Sequence, residues 1–413
     1  MPTEKLYWID PFALAFEARG AALSTWEGQR SVVLPATRFY PEAGGQLGDT
    51  GALDLGGVRV DVRDTQITDD GVIHHLTDSS IPEALVADTS LVNGAVDRDR
   101  RLDHMAHHTA QHMLSSALAD VARADTVSAR LGRASCTIDL DVPGTSDKNL
   151  ALAEDRVNAA IRDDVAIRAF FPTTEELAGL RLRRTPKMTK GIRVIDIEGF
   201  DQSPCGGTHC TRTGQIGLVR IVGIEKYKGK VRLSFHAAAR ALADMRAKDD
   251  VIAALMADLT CGPADLAAGL TKLKAELRGS RESLGQARAE LAGLVAAAAL
   301  AKNPPNASGG ETLIVLVRES DDIATLRTLA GRLAARPDVV AVCLSRADES
   351  DDYSIVVQRG SASQRDCGSW LKRLTSAHGG RGGGRPERAE GRVQASGATS
   401  EALAAPSLAA HTP

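Results

Sequence analysis

Four of the chain's ten histidines, His104, His107, His108 and His112, fall within nine residues. On a helix, His104, His108 and His112 sit four apart and project from one face. An i, i+4 pair of imidazoles can grip one metal ion, because the backbone fixes their spacing. Much later, Cys205-Gly-Gly-Thr-His209 places a second pair four apart in a glycine-bearing turn. Two imidazoles, a thiolate and a third imidazole make a tetrahedral set suited to zinc. The fold is expected to bring the two pairs together. A lone helical histidine is more often a core or surface residue, and a lone C-x-x-x-H is weak, so the pairs count only jointly. Spacing does not choose two ligands among the four histidines, nor Cys205 over Cys210.

The 413 residues exceed one ordinary core, so two to four domains are expected. Hydrophobic content of 43% and charged content of 25% fit a globular protein. No apolar run approaches the ~18 residues of a membrane span, and the first residues lack a signal peptide's apolar core. Six scattered cysteines, at 136, 205, 210, 261, 343 and 367, do not form a disulfide framework. These features suit a reduced, cytoplasmic setting with no membrane partner. The net charge of -3 excludes a nucleic-acid binder that is basic throughout. Basic stretches remain. Arg181, Arg183, Arg184, Lys187, Lys190 and Arg193 form a run without an acid, and residues 365–392 carry a local balance of +4. Both suit phosphate contacts; the alternative is a solvated charged face.

The chain is expected to be α+β. Residues 1–95 read as a small β-barrel, from short apolar or alternating runs such as Val58–Val62 between glycine-bearing turns, with a glycine-rich loop around residues 37–51. Residues 96–236 read as an α+β domain containing the histidine helix to about Ala122, a strand at 134–140, a helix from Lys148 to Asp163, and strands flanking the Cys205 loop. Residues 237–303 read as a helical coiled-coil segment, with Leu266, Leu270, Leu273, Leu277, Leu284, Leu291 and Leu294 in a 3-4-7 rhythm. Such a seam needs a partner, and a homodimer through it is one reading. Residues 304–395 read as a small α/β domain of βαββα order, and 396–413 as a tail whose composition suits disorder.

Several chemistries are excluded. Thr109 follows His108 where an H-E-x-x-H protease needs glutamate. Pro204-Cys205-Gly-Gly-Thr lacks the second cysteine of a deaminase site. The run Gly379–Gly384 has no Walker lysine-serine after it.

His108-Thr-Ala-Gln-His112 together with Cys205-Gly-Gly-Thr-His209 resembles the zinc set of the alanyl-tRNA synthetase editing domain and its free-standing AlaX-type relatives. Residues 39–51, 192–197 and 213–217 agree with it, and 379–386 resembles that enzyme's C-terminal domain. The resemblance covers nearly the whole chain and is best for a long, free-standing editing protein, since no adenylate-forming domain fits before residue 95. It implies hydrolysis of the ester joining serine, and glycine as a second substrate, to alanine tRNA. It selects His108, His112, Cys205 and His209 as zinc ligands and makes His104 and His107 supporting or surface residues. It places Thr37 by the serine hydroxyl and Gln46 in the pocket wall. RNA contacts are expected from Arg181, Arg183, Arg184, Lys187 and Lys190, and from Arg381 and Arg385. Ala43 departs from a third glycine common in such loops, which would reshape the loop. A site that hydrogen-bonds a hydroxyl rejects a substrate lacking it by up to ~10⁴-fold, so sparing alanine is chemically feasible. The alternatives are a non-catalytic, zinc-stabilised tRNA-binding protein and a zinc-dependent esterase acting on a small molecule.

Overall fold

The histidine helix begins where Asp97 caps it, accepting hydrogen bonds from the Asp99 and Arg100 N–H groups at 3.0 and 3.1 Å. Two orphan donors of the first turn are thereby satisfied. The helix, α1, runs Arg98–Ala122 and stops at Arg123, which turns left-handed with φ 49°. In this computed structural model, residues 1–87, 89–186, 191–307, 309–346 and 352–394 are described. The contacts divide the chain into two units, residues 1–254 and 255–413. Among the described residues there are seven helices and several sheets, a mixed α+β fold.

In the first unit, Ala15–Arg19, Leu91–Val96, Gly51–Leu55 and Val58–Val62 form one four-stranded antiparallel sheet, in that order. Ala22–Trp26, Gln29–Val33, Ile73–Leu76 and Asp64–Ile67 form another. The barrel expected for residues 1–95 is therefore corrected: the strands exist, but both sheets are open. Closure needs the first and last strands of one sheet to pair, and these strands divide into two separate ladders. Phe16, Val32, Leu34, Phe39, Leu53 and Val92 fill the core they share.

Two further sheets surround α1. One orders Thr126–Leu131, Cys136–Leu140, Lys230–Ala237 and Val219–Tyr227, and the other Ile167–Phe170, Val194–Ile197 and Asp201–Pro204. Met105, Met113, Leu114 and Leu118 of α1 pack with Ile138, Leu233 and Phe235, and with Val157 and Ile161 of α2 (Asp147–Arg162). The apolar stripe of α2 is the expected one: Leu150, Ala153, Val157, Ala160 and Ile161 are all buried. This apolar clamp makes α1 a rigid base for its histidines. A short helix α3 (Thr174–Gly179) carries a full capping box, Thr173 with Glu176.

The helical stretch is broken: α4 spans Ala238–Leu259 and α5 Leu266–Lys302, around Thr260 at φ 49° and Gly262-Pro263. No single helix among the described residues is long and apolar enough to cross a membrane. In the second unit, Leu270, Leu273, Leu277, Leu284, Leu291 and Leu294 of α5 are exposed, while its small face, Ala292, Ala296 and Ala299, packs on Ile314, Leu326, Leu329 and Leu333. A five-stranded sheet orders Thr312–Glu319, Val339–Arg346, Asp352–Arg359, Arg388–Gln394 and Gly380–Gly384. It carries α6 (Ile323–Ala334) and α7 (Cys367–His378). The βαββα reading is thus extended by a hairpin: the glycine–arginine run is itself an edge strand. Glycine's low strand propensity hides such a strand from pattern reading. The tail expected at 396–413 lies outside the described residues.

Candidate metal centre

The Gly-rich loop closes on α1 through a two-residue hairpin turn. Ala43 and Gln46 exchange both backbone hydrogen bonds, at 3.1 and 3.0 Å, around Gly44 and Gly45 with φ of 60° and 89°. Two successive positive φ values are what a type I′ turn demands, and glycine supplies them. Ala43 is the residue before the turn and needs no positive φ, so its departure from glycine leaves the turn intact. The turn aims Gln46 at α1.

Gln46 is fully buried. Its Oε1 lies 2.7 Å from His108 Nδ1 and accepts the Thr208 N–H at 3.2 Å; its Nε2 donates to the Thr208 hydroxyl at 2.9 Å. An amide oxygen only accepts, so His108 carries its proton on Nδ1 and keeps the Nε2 lone pair free. The same logic fixes the other two rings. His112 Nδ1 lies 3.3 Å from the Asp201 carboxylate. His209 Nδ1 lies 3.3 Å from the Thr109 hydroxyl, whose own proton goes to the Met105 carbonyl at 2.8 Å. Three imidazoles thus turn Nδ1 outward to a fixed acceptor and leave Nε2 for a common point.

Cys205 completes the point. Its Sγ lies 3.4 Å from His108 Nε2 and 3.3 Å from His209 Nε2. One ligand atom from each of His108, His112, Cys205 and His209 falls within 4.8 Å of all the others. These are the four residues the resemblance selects, and the group could hold a metal ion. The donor set fits zinc in kind, and each imidazole has the outer hydrogen bond that metal-binding histidines require. Gly207 permits the approach: a Cβ there would sit 2.2 Å from His108 Cε1.

The charges agree. Burial alone would raise the Cys205 thiol, but the neighbouring His108 and His209 outweigh it and hold it well below its usual range. Burial, with His108 beside it, drops His209 to about 3. Burial would also lower His112, yet its bonds to Asp201 and Cys205 lift it to about 9. Cys210 goes the other way: burial pushes its thiol up to about 11, and it stands outside the group.

The remaining candidates scatter. His107 accepts the Ala237 N–H on Nε2 at 3.0 Å and faces Asp103 with Nδ1, so it ties α1 to a strand end. His104 is buried, with an Nδ1 that has no partner. Neither joins the group. A cavity of about 510 Å³ opens on three of the four donors, His108, His112 and Cys205, and is walled by Tyr7, Trp8, Tyr40, Gln111 and Arg193 among others. Thr37 does not line that cavity. Its hydroxyl is fully buried, lies 2.8 Å from His75 Nε2 and accepts the Phe39 N–H at 3.1 Å. The Gln46 amide bonds to His108 and Thr208.

Of the basic run, Arg183 is ion-paired with Asp201 at 2.6 Å and bonded to Ser203, so it braces the metal group rather than standing free. Arg193 is buried and donates to the Cys205 and Gly207 carbonyls at 3.1 and 2.8 Å, holding the loop. Arg181 and Arg184 are exposed, as are Arg381 and Arg385. Lys187 and Lys190 lie outside the described residues. Sequence reading missed Asp201, Thr109 and Trp8 as site residues. Asp201 stands four before Cys205, but nothing local marks it, and Trp8 meets Gly206 across most of the first unit.

Comparison with known proteins gives three matching family models: "Threonyl and Alanyl tRNA synthetase second additional domain" at residues 192–234, "tRNA synthetases class II (A)" at 16–100, and "DHHA1 domain" at 310–408. The alanine–tRNA ligase of Pyrococcus abyssi is 30% identical over 410 residues, covering 97% of this chain and 43% of that protein. That of Prochlorococcus marinus is 30% identical over 401 residues, covering 92% and 44%. The chain is thus similar over nearly its whole length to alanine–tRNA ligases, which is consistent with an AlaX-like protein. It spans less than half the length of the curated relatives it matches. Among solved structures, the C-Ala domain of Aquifex aeolicus alanyl-tRNA synthetase is 26% identical, over 22% of this chain and 85% of that one, with a TM-score of 0.21. Two of the candidate donors, Cys205 and His209, lie inside the 192–234 match, and the other two lie on α1, which meets it.

Proposed function

We propose that the chain is a trans-editing hydrolase: it removes serine, and glycine as a second substrate, from mischarged alanine tRNA, with zinc held by His108, His112, Cys205 and His209. The observation that carries this reading is the convergence of four donor atoms within 4.8 Å, three of whose residues, His108, His112 and Cys205, line an open cavity. Zinc, when bound there, would supply polarisation of a carbonyl, activation of water, or a template for the ester. The chain's residues do the rest. Gln46, Asp201 and Thr109 hold the three rings, and Arg193 holds the Cys205 loop from behind. An aminoacyl ester is already activated, so positioning supplies much of what is needed. Gln111 lies in the cavity wall between His108 and His112, its Nε2 bonded to Ser115 at 2.8 Å. Its amide and the Thr37 hydroxyl are the groups proposed to read a serine hydroxyl. Arg181, Arg184, Arg381 and Arg385 are proposed RNA contacts, as are Lys187 and Lys190, which follow the first pair in sequence. The exposed leucines of α5 are proposed to pair with a second copy, and boundaries near 95, 236, 303 and 395 are proposed for the domains.

Purified full-length protein should shorten the lifetime of Ser-tRNA(Ala) and spare Ala-tRNA(Ala). An unchanged lifetime refutes the hydrolase. One observation favours a second reading: four protein donors complete a tetrahedral sphere, as in structural zinc sites. A purely structural site would show as tRNA binding with zinc present and no turnover.

A further inference from the structure

We propose that Tyr7 is a catalytic residue of this site: its phenol donates a hydrogen bond to the carbonyl oxygen of the ester while negative charge builds there. The inference rests on the hydrolase reading and gives a part to a group that reading leaves idle.

Besides the histidines, the aromatic side chains in the described wall are Tyr7, Trp8 and Tyr40. Two of them have committed their polar atom. The Trp8 indole N–H donates to the Gly206 carbonyl at 2.8 Å, and the Tyr40 hydroxyl donates to the Ala43 carbonyl at 2.9 Å. Tyr7 is 2% exposed, yet its hydroxyl has no hydrogen-bond partner among the described residues. His104 Nδ1 and Asp49 Oδ1 are enclosed as well as unpartnered; the Tyr7 hydroxyl is not enclosed, and it opens on the cavity. A tyrosine hydroxyl usually finds a partner when the ring is buried. Here that partner has to come from the cavity.

The ring is held in place. Tyr7 sits in the short turn Leu6–Trp8, directly after Glu4–Lys5, which pairs in parallel with Ala36–Thr37. It meets Trp8 and Tyr40 edge to face, with centroids 5.8 and 5.4 Å apart, and packs with Ile73. A donor fixed in this way needs little reorganisation as charge develops, which is what makes such a group effective. The charge around it is positive. Burial pushes the Tyr7 phenol well above the ordinary tyrosine range, so it stays protonated, and Arg193 and Arg101 act on it more strongly than Asp49 does. Both guanidinium groups favour negative charge on an oxygen bonded to Tyr7. In the step, the oxygen of a water bonds to the ester carbon, and the carbonyl π pair moves onto its oxygen. The Tyr7 O–H stabilises that oxygen without giving up its proton. The pair then returns, the bond to the tRNA oxygen breaks, and the proton lost by the water ends on that oxygen. The free amino acid and the tRNA leave. A bond to the side-chain hydroxyl would act on serine alone, whereas a bond to the carbonyl acts on every ester that enters.

The test compares full-length, metal-loaded wild type with Tyr7→Phe, which removes one oxygen and keeps the ring, on Ser-tRNA(Ala) and Gly-tRNA(Ala). kcat should fall on the order of a hundredfold on both esters, the scale of one donor lost from a developing oxyanion. KM should stay within about twofold, as for an interaction made only in the transition state. Metal content and the urea unfolding midpoint should match wild type, which a merely structural role would not leave unmoved. A kcat within about threefold of wild type overturns the proposal. So does a rise in KM alone, and so does a loss confined to serine, which puts the hydroxyl on the substrate's side chain. Should Tyr7→Phe lose metal, ring-fluorinated tyrosine at position 7 decides: it keeps the hydroxyl, makes it a stronger donor and should raise kcat, and an unmoved kcat overturns the proposal. If wild type and Tyr7→Phe deacylate alike, this proposal fails and the hydrolase reading stands. If wild type deacylates neither ester, the hydrolase reading fails and takes this proposal with it.

Discussion

The histidine helix carries two kinds of imidazole, and their neighbours separate them. His108 and His112 turn Nδ1 to Gln46 and Asp201 and leave Nε2 facing Cys205 and His209. His107, next in the chain to His108, spends both nitrogens on the fold, at Asp103 and at the Ala237 N–H. His104, one turn before His108, has no partner for its buried Nδ1. A helix sets where a ring points; a residue from elsewhere sets which nitrogen is free. The comparison teaches that a candidate ligand is made by its outer hydrogen bond as much as by its spacing.

The largest break in this contrast should come from the donors. His112→Ala or Cys205→Ala is expected to lose bound zinc, read by elemental measurement, and to lose deacylation on the order of a hundredfold or more. Full occupancy in both would remove these residues from the ligand set. Asp201→Asn keeps the shape and removes the charge that holds His112, so zinc affinity should fall about 10–100-fold in a chelator competition. His107→Phe should leave zinc in place and cost about 1–3 kcal/mol in urea unfolding, because the Ala237 N–H is left without an acceptor.

His104 should give the smallest effect at neutral pH. Burial, with Arg100 nearby, holds it at about 3, against 6.5 when unperturbed. The unfolded chain therefore takes up a proton below about 6.5 that the folded chain refuses until about 3, so stability falls as the pH drops through that window. Between pH 7 and pH 5 this one group should cost about 2 kcal/mol. His104→Leu should be near neutral at pH 7 and should remove that part of the acid loss. An identical pH profile in wild type and variant would show that His104 is not held neutral.

Much of the first unit was legible. The C-terminal end of α1 and the buried stripe of α2 follow from helical period and lie where pattern reading puts them, whereas the Asp97 cap starts α1 at Arg98, ahead of the histidines that marked it. The barrel over residues 1–95 was misjudged because alternation reports a strand's faces and says nothing of which strand it pairs with. The 3-4-7 leucines were read as a seam, yet in the second unit it is the alanine face of α5 that is buried. Apolar spacing finds an amphipathic face; packing distance favours the smaller one. Pattern reading assigned the glycine–arginine run no element because glycine carries no strand signal, although backbone pairing with Arg388–Gln394 makes it a strand.

The candidate site divides in the same way. Residue types and spacings four apart determined which side chains could converge, since i, i+4 geometry on a helix and a Gly-Gly turn are properties of a few consecutive residues. Only the tertiary structure decided that Gln46 orients a ring, that Asp201 and Thr109 orient two more, that Thr37 is committed to His75, and that Trp8 stands beside Cys205. Each of those is a bond between distant segments. Its geometry is set by how sheets and helix pack, and no short stretch of chain contains that information.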